Sequence, residues 1–269
     1  MELTGFDVRA FLAEDLGEGD VTTESVVPAD ARLQASLLLK EEGVLCGLEV
    51  AEAVFRELDP DLEFKAIVHD GDVAHGEVAR VSGNARALLT GERTALNLLG
   101  RLSGIATLTR RYVNAVEGTG ATILDTRKTT PGLRALEKLA VRTGGGTNHR
   151  FGLYDGMLIK DNHVRLGGGI APSVRKAKET GLPVEVECET LADARSALEA
   201  GADTLLLDNM TPVELREAVL LVGGRVKTEA SGGVTLETVR VIAETGVDFI
   251  SVGALTHGAR SLDVSMEVR

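Results

Sequence analysis

The chain has 269 residues, 43% of them hydrophobic, and a formal net charge of −12, which is length enough for one large domain or two unequal ones around a full core. With that acidity, no Trp and only 3% aromatics, it lacks the broad basic face and stacking rings of a nucleic-acid binder. Cys46 and Cys188 are too few for a disulfide framework or zinc cluster, no long uncharged apolar run appears, and the start Met1-Glu2-Leu3-Thr4-Gly5-Phe6-Asp7 carries acids where a signal peptide needs bases, so a cytoplasmic protein with no membrane partner is expected.

Residues 1–103 read as an α+β domain. Extended pieces at Ala35–Lys40, Phe64–Val68 and Gly76–Ser82 are separated by turns such as His69-Asp70-Gly71-Asp72. A long helix from about Asn84 to Glu117 follows, with Leu88, Leu89, Ala95, Leu96, Leu99 and Leu102 as its apolar stripe and a break expected near Ser103-Gly104.

From about residue 120, short β-branched or Leu-rich runs alternate with amphipathic helical stretches, the pattern of βα units around a parallel sheet. The expected strands are Ala121–Asp125, Gly156–Ile159, Val184–Cys188, Thr204–Leu207, Arg225–Thr228 and Asp248–Val252. Between them, helices are expected near Gly132–Arg142, Ala171–Thr180, Leu191–Ala200, Pro212–Leu221 and Leu236–Thr245, with Gly181, Gly201 and Gly246 as stops. Charged or hydroxyl residues recur at the strand ends, where a parallel barrel collects its chemistry. Residues 104–260 are accordingly assigned to an α/β barrel, and 261–269 to an edge strand returning to the first domain.

Between Asp125 and Arg165 the acidic chain turns basic, with eight Lys/Arg against four Asp/Glu, a local balance of 8 − 4 = +4. Arg127, Lys128, His149, Arg150 and Lys160 lie just past expected strands or in the loop between them, and several arginines around one pocket suit a small ligand with more than one carboxylate. The competing reading pairs these arginines with Asp125, Asp155 and Asp161. Glu187 and Asp208 end successive strands and are candidates to hold Mg²⁺ with a polyphosphate, against a plain solvated pair; only one face of the Val184–Cys188 strand is expected to count. Ser231-Gly232-Gly233 before a helix, and Val252-Gly253-Ala254 after the last strand, form candidate phosphate-binding turns. Gly144-Gly145-Gly146 lacks the spacing of a dinucleotide fingerprint and reads as a flexible loop. Cys188 reads as a small buried hydrophobe, and His163 and His69 are assigned no role.

The ordered runs Asp125-Thr126-Arg127-Lys128-Thr129-Thr130-Pro131-Gly132-Leu133-Arg134, Gly144-Gly145-Gly146-Thr147-Asn148-His149-Arg150 and Ile159-Lys160-Asp161-Asn162-His163 closely resemble the quinolinate phosphoribosyltransferases. The resemblance continues through Val186-Glu187, Leu207-Asp208-Asn209, Glu229-Ala230-Ser231-Gly232-Gly233 and Val252-Gly253-Ala254-Leu255-Thr256-His257, and reaches back to Gly91-Glu92-Arg93-Thr94 and Glu14-Asp15-Leu16-Gly17. It implies an α/β fold, an incomplete α/β barrel with an N-terminal α+β open-faced sandwich domain. It also implies Mg²⁺-dependent transfer of phosphoribose to quinolinate with loss of CO₂.

By position, the resemblance implies that Arg127, His149, Arg150 and Lys160 contact quinolinate, and that Lys128, Glu187 and Asp208 serve phosphoribosyl pyrophosphate and its metal. It places the phosphate on Ser231, Gly232, Gly233, Gly253 and Ala254, and implies that Arg93 reaches the site of a neighbouring subunit in a homodimer or larger assembly. Glu229 and His257 fall in matching motifs without an assigned role. Three alternatives stay open: a non-decarboxylating transferase acting on nicotinate, a Schiff-base aldolase using Lys160 or Lys128, and a non-catalytic phosphosugar-binding protein.

Overall fold

The computed structural model describes residues 7–269, so the acidic start discussed above lies, apart from Asp7, outside the described residues. In chain order the first elements are helices α1 (Val8–Leu16) and α2 (Val21–Val26), strand β1 (Arg32–Val44), helix α3 (Leu48–Leu58), strands β2 (Glu63–Ala66) and β3 (Val73–Asn84), and the long helix α4 (Ala85–Ala115). Then come β4 (Thr122–Leu124), α5 (Arg134–Thr143), β5 (Met157–Ile159), α6 (Asp161–Leu166), α7 (Ile170–Lys178), β6 (Val184–Cys188), α8 (Leu191–Glu199), β7 (Thr204–Asp208) and α9 (Pro212–Val222). The chain finishes with β8 (Lys227–Ser231), α10 (Val239–Ala243), β9 (Phe249–Ser251), α11 (Ala254–His257) and β10 (Val264–Val268). No helix among the described residues is long and apolar enough to cross a membrane.

The chain divides into two compact units, neither of them a single segment. One comprises the chain up to Arg110 with Thr130–Gly145 and Gly258–Arg269, the other Arg111–Thr129 with Gly146–His257.

In the first unit an antiparallel sheet runs in the order β10-β1-β3-β2. The tail returns as expected to an edge of this sheet, where Leu37 pairs with Met266 and Leu39 with Val264. Alternation along β1 and β3 buries Leu37 and Leu39, and Ala79 and Val81, and these join Val50, Val54 and Phe55 of α3 and Leu88 and Leu99 of α4 in the core. The apolar positions of α3 recur at helical spacing, although the extended segments on either side dominate the reading of that stretch.

The break expected in α4 does not occur; it is one helix of 31 residues. Ser103 Oγ accepts from the Cys46 N–H at 3.0 Å and donates to Cys46 O at 3.2 Å, and a Cβ on Gly104 would collide with Arg260 O. The small pair marks a close approach of other backbone to the helix. The Gly-rich stretch after α5 is likewise packed, because Gly144 leaves room for Ala106 O, which a Cβ would meet at 2.5 Å. Gly145, next to Gly144, is exposed and has a φ of 95°.

The second unit is built on six parallel strands in the order β4-β9-β8-β7-β6-β5. Strands β4 and β5 are edges with no pairing to each other among the described residues, so the barrel is open, in agreement with the expected incomplete one. Thr147 adds one parallel bridge to Leu124 on the outer side of β4. Five of the six expected strands agree to within one or two residues, but β8 lies at Lys227–Ser231, two to three residues later than expected. Asp203 and Asp248 tie neighbouring strands together at their starts, Asp203 accepting from the Val184 N–H at 2.7 Å and Asp248 from the Thr228 N–H at 2.9 Å. Helices α8 and α9 begin in reciprocal caps, Thr190 with Asp193 and Thr211 with Glu214. Gly181, Gly201 and Gly246 adopt the positive φ that suits a helix stop (75°, 91° and 92°).

Candidate active site

Parallel strands put all their carboxyl ends at one edge of the sheet, and there the second unit holds a cavity of about 560 Å³. Arg127, Lys128, His149, Arg150, Lys160, Glu187, Asp208, Ser231, Gly232 and Gly233 all line it, so ten residues chosen from sequence converge on one space. A larger cavity of about 800 Å³ flanks β5, lined by Leu153, Met157, Leu166 and Pro172 and sharing Arg150. It takes in none of the strand-end carboxylates and only one of the clustered cations, so the chemistry belongs to the smaller space.

The cationic side is assembled on two loops. Asp125, immediately after β4, is fully buried and accepts from the His149 N–H at 2.8 Å and from Asn148 Nδ2 at 2.6 Å, which fixes the corner that carries Arg150. Arg150 Nη1 donates to Gly156 O at 2.9 Å. Burial first, and then the facing charge of Arg127, hold the Arg150 guanidinium below its ordinary value. Arg127 Nε is buried without a hydrogen-bond partner. Neither arginine forms an ion pair among the described residues; Asp155 instead accepts from the Phe151 and Gly152 N–H groups at 2.7 and 3.0 Å. Two facing, unpaired guanidinium groups call for an anion.

The acidic side lies on β6 to β8. Glu187 Oε2 is 2.5 Å from Lys160 Nζ, and Asp208 Oδ2 accepts from Asn209 Nδ2 at 2.6 Å. Each carboxylate keeps its other oxygen for a ligand, a hard-oxygen set that suits Mg²⁺ with waters and phosphate oxygens. His163, assigned no role from sequence, accepts from the Lys160 N–H through Nδ1 at 2.9 Å and so caps α6.

The phosphate-type turn is shaped by its glycines. Gly232 has φ of 94°, and a Cβ there would strike Asn209 Oδ1; Asn209 is itself the one non-glycine residue with positive φ among the described residues, at 55°. The helix expected from about Leu236 starts only at Val239, so the turn offers backbone N–H groups without a helix end directly behind them. Gly253 and Ala254 are not among the lining residues. Gly253 still lies beside the site, since a Cβ there would come within 3.1 Å of Lys128 Cδ. Arg93 belongs to the first unit, where it is exposed, free of ion pairs among the described residues, and borders a cavity of about 190 Å³ with Asn97 and Asp263.

Beyond the residues given a role from sequence, the cavity takes in Thr126, Leu158, Leu206, Asn209, Glu229 and Ser251. Glu185, given no role from sequence, shares the Glu187 face of β6 by the two-residue period and meets His149. That period was the signal available for it. Cys188 is buried as expected, and burial pushes its thiol up to about 12.

Residues 105–267 match the C-terminal domain of quinolinate phosphoribosyl transferase, and residues 20–103 its N-terminal domain. A Bacillus subtilis protein named probable nicotinate-nucleotide pyrophosphorylase (carboxylating) is 48% identical over 96% of this chain and 91% of its own length. The chain belongs to the quinolinate phosphoribosyltransferase family. The chloroplastic nicotinate-nucleotide pyrophosphorylase of Arabidopsis thaliana is 44% identical over 97% of the chain and 81% of its own length. The solved nicotinate-nucleotide pyrophosphorylase of Francisella tularensis superposes with a TM-score of 0.93 at 41% identity, covering 97% of this chain and 94% of that one. Membership in the quinolinate phosphoribosyltransferase family therefore extends over both units, and the cationic and acidic halves of the cavity lie within the C-terminal match.

Proposed function

We propose that this chain transfers the phosphoribosyl group of phosphoribosyl pyrophosphate to quinolinate with loss of CO₂, forming nicotinate mononucleotide and pyrophosphate in pyridine nucleotide biosynthesis. The observation that carries this reading is the cavity in which unpaired Arg127 and Arg150 face strand-end carboxylates of β6 and β7. A pyridine with two adjacent carboxylates satisfies the first group, and a sugar diphosphate with its metal satisfies the second. A mono-acid such as nicotinate would leave a guanidinium unmatched, which favours the diacid over the non-decarboxylating alternative. Lys160 pairs with Glu187 and does not stand free in the apolar pocket of a Schiff-base amine, which disfavours the aldolase.

In this reading Arg127, Arg150 and Lys160 hold the diacid so that its ring nitrogen faces the anomeric carbon of the sugar. Ser231, Gly232 and Gly233 take the 5-phosphate, with Gly253 and Ala254 flanking it. Lys128 offsets charge that grows on the departing pyrophosphate. Glu187 and Asp208 would hold Mg²⁺, which when bound neutralises diphosphate charge. Once the ring nitrogen carries the ribosyl group, its positive charge stabilises the carbanion left when the neighbouring carboxylate departs as CO₂, and Lys160 is the candidate for favouring that step.

Arg93, exposed and unpaired, is assigned to the diacid site of a second copy in a homodimer. Two buried free cysteines, Cys46 and Cys188, agree with a reducing compartment, here taken as the cytoplasm. The test is purified protein with quinolinate, phosphoribosyl pyrophosphate and Mg²⁺, followed for pyrophosphate and CO₂ together and repeated with nicotinate. Release of CO₂ before, or without, pyrophosphate refutes the order of steps, and turnover of nicotinate in place of quinolinate refutes the substrate.

A further inference from the structure

His149 has both ring nitrogens committed inside the protein. Nδ1 accepts from the Arg150 backbone N–H at 2.8 Å, while Nε2 lies 3.0 Å from Glu185 Oε2 and 3.6 Å from Glu229 Oε2. A ring nitrogen that accepts a hydrogen bond carries no hydrogen, so the imidazole hydrogen sits on Nε2, where Glu185 is the carboxyl group within reach and Glu229 stands just beyond it. Glu229 is only 2% exposed, and the second oxygens of both Glu185 and Glu229 are buried without a hydrogen-bond partner. The phosphoribosyl chemistry outlined above uses neither glutamate.

Two roles fit three such groups. Their ligand atoms lie within 4.8 Å of one another, close enough to surround a metal ion. A metal, however, needs the lone pair of Nε2, and the bond from the Arg150 N–H to Nδ1 selects the tautomer in which that lone pair is absent. The other role is a clamp. Burial, and after it the neighbouring Glu185, raise the Glu229 carboxyl, and a His149 ring kept neutral by its Nδ1 acceptor bond brings no charge to lower it. Burial thus favours the protonated form of Glu229, which would leave one negative charge fewer beside a pocket meant for anions.

We propose that Glu185 and Glu229 are positioning residues for the diacid end of the site: they clamp His149 in its Nε2–H tautomer, and the ring in turn fixes the Arg150 backbone through Nδ1. The proposal rests on the reading of that cavity as a quinolinate site. It gives His149 the work of a strut, with its ring lining the cavity and its nitrogens turned to the protein.

The experiment is ¹⁵N–¹H correlation spectroscopy of histidine-labelled protein, with the His149 signals assigned by their loss in His149→Asn, alongside steady-state kinetics. Wild type and Glu229→Gln are expected to show the Nε2–H form, because a side-chain amide there still donates to Glu185, the carboxylate within reach of Nε2. Glu185→Ala and Glu229→Ala are expected to show mixed tautomers, with the KM for quinolinate raised about tenfold and that for phosphoribosyl pyrophosphate changed less than about twofold, as the loss of one indirect hydrogen bond implies. An Nδ1–H form in wild type overturns the clamp, as does zinc chloride binding to wild type that disappears in His149→Asn. Should the alanine variants fail to fold, the wild-type and Glu229→Gln spectra still decide the matter. Since the tautomer is read without turnover, an Nε2–H form in a protein that does not turn over quinolinate counts against the proposed function and not against the clamp.

Discussion

Replacing Asp125 with alanine removes the acceptor on which the His149–Arg150 corner is built. Its side chain is 0% exposed and takes the His149 N–H at 2.8 Å and Asn148 Nδ2 at 2.6 Å. Without it, one backbone N–H and one side-chain amide lose this acceptor at a half-buried corner, at about 1 kcal/mol each, the low end for an unmet group, so the expected destabilisation is about 2 kcal/mol. The backbone pairing at this point does not involve the side chain, since the Thr147 N–H still reaches Ile123 O at 2.9 Å and the Asp125 N–H still reaches Thr147 O at 3.1 Å. The variant should therefore keep its fold while losing the placement of Arg150. Equilibrium urea unfolding reads this as a lower midpoint at unchanged slope, and quinolinate kinetics as a raised KM. Asp125→Asn retains an oxygen for the His149 N–H and should lose less. An alanine variant within about 0.5 kcal/mol of wild type, the range of an ordinary surface change, or one no worse than the asparagine variant, would show that the corner is held by something else.

Arg127→Ala and Lys160→Ala should each reduce kcat/KM for quinolinate by at least about tenfold, the loss of one charge-assisted bond, with melting temperatures near wild type; wild-type rates remove them from the site. Gly232→Ala places a Cβ into Asn209 Oδ1 at a φ of 94°, and should cost about 1–3 kcal/mol of stability while weakening phosphoribosyl pyrophosphate in calorimetry. Glu229 is raised from 4.5 to about 8 by burial and Glu185. The native state therefore binds this proton more tightly than the unfolded chain, and the stability it contributes is full below about pH 4.5 and lost as pH rises through about 8. In Glu229→Gln, denaturant midpoints measured from pH 5 to 9 should fall less steeply than in wild type, and parallel curves count against a buried proton there. Asp248 has the opposite sign: burial pushes it up, but bonds from Lys227 and the Thr228 N–H outweigh burial and leave it below 3.8. Its contribution is present above pH 3.8 and lost in acid, so Asp248→Asn should be less stable at pH 7 yet show a flatter acid-unfolding curve.

The second unit was the more legible half. Strand Val184–Cys188 alternates apolar and acidic residues, strand Thr204–Asp208 is a short Leu-rich run, and the helices between them carry their caps in adjacent residues, so local signals and final structure coincide. The late start of β8 is a case where they do not. Arg225 looks like the strand's beginning, but its side chain turns back to cap α9 at Leu221 O and Val222 O, and the strand begins two residues further on. Helix α3 was missed because its heptad-like apolar spacing is short and lies between two extended segments. The break assigned to α4 failed for the reason that small residues have two uses: Ser103 and Gly104 interrupt a helix when solvated, and admit a second backbone when packed.

What the amino-acid order determined was the inventory and the rim: cations after β4 and β5, acids at the ends of β6 and β7, glycines after β8. These follow from the two-residue period of strands and the shared direction of a parallel sheet, both of which are local rules. What only tertiary structure decided was which of these groups remain unpaired. That Arg127 stands without a partner while Lys160 has Glu187, and that Glu185 and Glu229 meet at His149 from strands separated by β7, depend on side chains brought together across 27 to 80 residues of chain. Hydrogen bonding and desolvation are set by such three-dimensional neighbours, and neither has a signature in the linear spacing of residues.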